Sequence, residues 1–70
     1  MMKVGEVYKF KKRGTMYLIL GVVSMKNPET REWVDAVLYS SLNDENLGKR
    51  FVRELSDFKD KFEFVKGEND

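Results

Sequence analysis

The sequence predicts an all-β protein: a small five-stranded SH3-like barrel with a short helical turn before the last strand. Two observations carry this. One alanine stands against eight valines, one isoleucine and nine aromatic residues, a composition that favours strands over helices. Apolar runs of strand length are separated by short turn-forming segments, the spacing expected of a small sheet that curls around one core. Seventy residues suffice for one core, so residues 1–66 form the expected domain and 67–70 a disordered polar tail.

The first strand is expected over residues 5–12. Val4, Tyr8 and Phe10 share a parity, with lysines on the other side from Lys9 onward. Lys11-Lys12-Arg13-Gly14 reads as a hairpin turn. The second strand, residues 15–24, is apolar on both parities and is expected to be buried on both faces. Gly21 is the cheapest place in it for a bend or bulge. Asn27-Pro28 begins a turn, because proline cannot extend a ladder. The third strand, residues 31–40, offers Val34, Ala36 and Leu38 as its core face. That leaves Trp33, Asp35 and Tyr39 on the outer face as candidate protein-binding residues, aromatic groups of the kind that anchor interfaces. The competing reading has Trp33 capping one end of the barrel.

Residues 41–48 are polar and turn-rich, and residues 49–53 suit a short fourth strand. Phe51, Leu55, Phe58 and Phe62 then recur at helical spacing. Two arrangements satisfy that spacing. One is strand, one helical turn capped by Ser56, and a last strand over 62–65. The other is an α+β fold, a three- or four-stranded antiparallel sheet with one C-terminal helix over about residues 50–62.

Function is constrained mainly by what the chain lacks. There is no histidine and no cysteine, which removes the commonest general base, the commonest metal ligand and all thiolate chemistry. The carboxylate pairs Glu29 with Glu32, Asp44 with Glu45, and Asp57 with Asp60 have no metal-loop spacing and read as solvated surface charge. Phosphate-loop and dinucleotide fingerprints are absent. The expectation is a non-enzymatic protein without cofactors. No apolar run approaches the twenty residues of a membrane helix, and the first residues do not resemble a secretory signal. A cytoplasmic protein that does not enter a membrane is therefore expected.

Net charge is +1 but unevenly placed: residues 1–26 carry +5, residues 27–48 carry −4, and residues 49–70 balance. Lys9, Lys11, Lys12 and Arg13 lie among Tyr8, Phe10 and Tyr17, a cationic and aromatic mixture of the kind that binds single-stranded nucleic acid. The simpler reading is a core face opposite a wet face. The chain also has more large apolar side chains than so small a body can hide, which favours a protein partner or a homo-oligomer.

Gly5-Glu6-Val7-Tyr8, Gly14 with Tyr17-Leu18-Ile19-Leu20-Gly21-Val22, Asp35-Ala36-Val37-Leu38-Tyr39, and Phe51-Val52-Arg53 with Phe58 and Phe62 form a familiar series. Over roughly residues 5–65 it resembles a family of short bacterial and phage proteins of unknown function with an SH3-like barrel. The acidic Asn43-Asp44-Glu45 loop departs from that pattern, as does Glu54 where proline is more usual. The resemblance implies a fold and a phage or prophage origin, and no reaction. Together these features point first to a module that binds and modulates or inhibits a host protein by surface occlusion. A nucleic-acid-binding barrel using the Lys9–Arg13 hairpin comes next, and a small-ligand or nucleotide binder at an oligomer interface third.

Overall fold

The computed structural model describes residues 2–67; residues 68–70 of the expected tail lie outside them. Five strands form one antiparallel sheet: β1 (Val7–Phe10), β2 (Met16–Lys26), β3 (Trp33–Ser41), β4 (Arg50–Glu54) and β5 (Phe62–Lys66). Their order is β4-β3-β2-β1-β5. One helix, α1 (Leu55–Lys61), precedes the last strand, and a single 3-10 turn spans Asp44–Asn46. The all-β architecture with its late helical turn is thus as the sequence predicts. The long C-terminal helix is not: residues 50–54 are strand, paired with β3 from Ala36 to Ser40.

The sheet curls around the core without closing. β4 and β5 stand at opposite ends of the strand order and do not pair. α1 connects the two strands in the chain. Phe58 projects from α1 into the gap and is fully buried, stacked on Phe62 at 4.0 Å between ring centroids. Ile19, Val37 and Tyr39 complete the core, with Met2, Tyr8, Phe10, Tyr17, Phe51 and Leu55 packed around it. Ser56 is not the helix cap. Glu54 occupies that position without a side-chain cap bond, and Ser56 Oγ instead donates to Glu54 Oε1 at 2.9 Å.

Two expectations about the long strands also change. The β2–β3 register shifts between Ile19 and Gly21, so the bulge falls where the glycine makes it cheap. Beyond it, β2 is not buried on both faces: Val22 and Val23 are exposed. β1 is short, and its last pairing with β2 is at Leu18, so residues 22–26 pair with β3 alone. The result is a two-stranded ribbon that runs past the body. In β3 the odd parity, not the even one, supplies the core. Val37 and Tyr39 are buried; of the even residues Ala36 and Ser40 are buried, and Val34 and Leu38 are half-buried. Tyr39 faces inward because Ile19, its register partner, does.

The turns are held by backbone and side-chain hydrogen bonds. Gly14 takes the left-handed conformation (φ +71°) that closes the β1–β2 hairpin, its N–H donating to the Phe10 carbonyl at 2.7 Å. At the ribbon tip Asn27 Oδ1 accepts from the Glu29 amide at 2.9 Å. Asn43 braces the loop after β3. Its Oδ1 accepts from the Met16 amide at 3.2 Å, and its Nδ2 donates to Ser41 Oγ at 3.0 Å. Asn43→Ala leaves the Met16 amide without that partner and is expected to cost about 1–2 kcal/mol in urea unfolding. A change below about 0.3 kcal/mol would show that water replaces the side chain at no cost.

Candidate functional site

Two concave surfaces flank α1. Leu55 and Lys59, one helical turn apart, lie on the first; Asp60 and Lys61 lie on the second.

The first lies under the β2–β3 ribbon. Met2, Val4, Gly21, Val22, Asp35, Leu55 and Lys59 enclose a recess of about 410 Å³. Val4 and Val22 are exposed apolar side chains in its wall. Trp33 lies further out along the same ribbon face. Its parity is that of Val37 and Tyr39, yet it is 68% exposed because the ribbon has outrun the core by that point. Lys26, its register partner, holds Nζ 5.9 Å from the ring centroid, a cation–π contact. Trp33 and Asp35 are therefore on the surface, as expected. Tyr39 is not: it is buried, and its hydroxyl accepts from Arg53 Nε at 3.3 Å. It belongs to the core and not to an outer face.

The second surface is a trough along the open seam. A recess of about 480 Å³ is lined by Phe10, Lys11, Lys12, Arg53, Asp60 and Lys61. A neighbouring one of about 300 Å³ shares Phe10 and Arg53 and adds Arg13, Tyr17, Tyr39, Phe51 and Phe62. The guanidinium of Arg53 lies 5.4 Å from the Phe62 centroid and 5.8 Å from that of Phe10. The hydrogen bond to Tyr39 is the main cause holding the Arg53 pKa above its ordinary value, with Asp57 adding to it.

The structure splits the basic hairpin. Lys9 points away and pairs with Glu63 at 2.9 Å. Lys11 Nζ donates to the Asp60 carbonyl at 3.0 Å, while Lys12 and Arg13 form no ion pair among the described residues. Arg53, Phe51 and Phe62 were not among the sequence candidates. The alternation of Phe51 with Arg53 on a short strand was the signal that could have found them, since both point to the sheet's inner face.

Asp57 bridges Arg53 and Lys61, each at 2.8 Å. Hydrogen bonds from Lys61 and then Arg53 hold its carboxyl below the usual range, and Lys9 does the same for Glu63. A carboxylate with a depressed folded-state pKa contributes stability above its unfolded pKa, near 4, and loses it as pH falls through the folded value. The urea midpoint is therefore expected to hold between about pH 7 and 5 and to fall below about pH 4. Asp57→Asn should make that acid limb shallower; an unchanged limb would assign it to other groups. Among the described residues, no three side chains of metal-ligating type are grouped, and no helix is long and apolar enough to cross a membrane. Comparison with protein families, with characterised proteins and with solved structures finds no match to this chain.

Proposed function

We propose that this chain is a non-enzymatic, cytoplasmic binding module that grips a protein partner with the underside of the β2–β3 ribbon. Trp33 carries the reading. The only tryptophan of the chain is 68% exposed, two residues along β3 from Asp35, which lines a largely apolar recess. Large aromatic side chains left in water next to apolar surface are the usual anchors of protein interfaces. If the chain is phage-encoded, as its sequence resemblance implies, the partner is a host protein, modulated or inhibited by occlusion of its surface. Occlusion needs complementary shape and no reacting groups, which suits a chain with neither histidine nor cysteine.

The test is affinity capture from nuclease-treated host lysate, with wild-type protein and Trp33→Ala side by side. A protein retained by the wild type and lost from the variant supports the reading. Equal retention by both would place the interface elsewhere.

A further inference from the structure

We propose that the trough along the open seam is a binding site for single-stranded nucleic acid, separate from the ribbon recess. The argument starts from its walls. Half-buried Phe10, Tyr17 and Phe51 place ring surface in the trough. Cations rim them: Lys11, Lys12 and Arg13 on the β1–β2 hairpin, and Lys49, whose Nζ is 5.7 Å from the Phe51 centroid. Lys12, Arg13 and Lys49 have no carboxylate partner among the described residues. Arg53, by contrast, is already committed to Asp57 and Tyr39, so it shapes the floor of the trough.

Rings below and free cations above match the two chemistries of an unpaired strand, bases that stack and phosphates that need neutralising. A duplex satisfies only the rim, because its bases are already stacked and paired. An acidic peptide also uses the rim and leaves the rings unused, and it meets Asp60 in the same wall. The charge is local. The whole chain carries only +1, so no general attraction of its surface for polyanions is expected.

The experiment is fluorescence anisotropy of the full chain with labelled oligo-dT and oligo-U of about 12 nucleotides, over about 50–300 mM salt. Four phosphate contacts, by Lys11, Lys12, Arg13 and Lys49, predict a slope of log affinity on log salt near −3, at about −0.7 per contact. Lys12 and Arg13 are exposed, so the double variant Lys12→Gln/Arg13→Gln should fold normally. It should flatten the slope by about 1.4 and weaken binding at least about tenfold at low salt. Phe51→Leu should weaken binding with the slope unchanged, and Trp33→Ala should leave it intact. No binding at about 50 mM salt, or binding indifferent to the double variant, would overturn the proposal. So would equal competition by polyglutamate or by duplex, which would show that the rim attracts any polyanion. Loss of binding in Trp33→Ala would move the nucleic-acid contact to the ribbon and overturn it as well.

Discussion

Phe58→Ala is expected to remove about 3–5 kcal/mol of stability, the cost of deleting a buried phenyl ring. A domain of this length is held by about 4–10 kcal/mol in all, so the variant should be largely unfolded at ordinary temperature or close to it. The size of the effect follows from the position. Phe58 is 0% exposed, and its ring faces Phe62 at 4.0 Å and meets Tyr8 and Tyr39 edge-on. It fills the space between β4 and β5, where no backbone pairing ties the sheet together. Truncation therefore opens the seam from inside, and no neighbouring strand can slide in to refill it. Phe58→Leu, which retains most of the volume, should cost about 1–2 kcal/mol. Urea unfolding followed by circular dichroism measures both. A loss under about 1 kcal/mol for the alanine variant would mean that α1 is not the plug of this core.

Trp33→Ala should do the reverse: about 2 kcal/mol or more lost from partner binding, roughly a thirtyfold drop in affinity, with stability changed by no more than about 0.5 kcal/mol. The contrast follows from exposure. A side chain 68% in water contributes little to folding, and its local contact is the cation–π approach of Lys26. In a complex the same ring surrenders its water. Its fluorescence should be red-shifted in the free protein and move to the blue on binding. Val52→Ser makes a suitable control, because Val52 is equally exposed in kind but lies on β4, away from the recess. It should leave the complex unchanged. If Trp33→Ala unfolds the domain, Trp33 is a core residue; if it leaves binding intact, the interface lies on another face.

Within the proposed site, sequence reasoning reached Trp33 and Asp35 but not the recess beside them. Val4 and Leu55 are far apart in the chain, and only folding brings them next to Val22 and Asp35. Tyr39 shows the opposite failure. The alternation along β3 correctly grouped it with Trp33 and Asp35, but alternation names two faces without saying which is inside. The sense was decided by β2, whose bulge aligns Ile19 with Tyr39 and turns the odd parity of β3 toward the core.

Local chemistry was enough to determine the strand-rich character of the chain and most of its turns. A valine- and aromatic-rich, alanine-poor chain forms strands. Gly14 and Asn27-Pro28 end them, while the spacing from Phe51 to Phe62 suited either a short helical turn or a helix over about 50–62, and the pairing of β4 with β3 decided for the turn. The tertiary structure alone decided what those elements enclose. It left the sheet open between β4 and β5, with Phe58 of α1 buried against Phe62. It split the Lys9–Arg13 cluster by pairing Lys9 with Glu63, and it exposed Trp33 by carrying the ribbon beyond the core. Each outcome depends on residues distant in the chain, and their placement is a property of the whole sheet, which no local pattern of residues encodes.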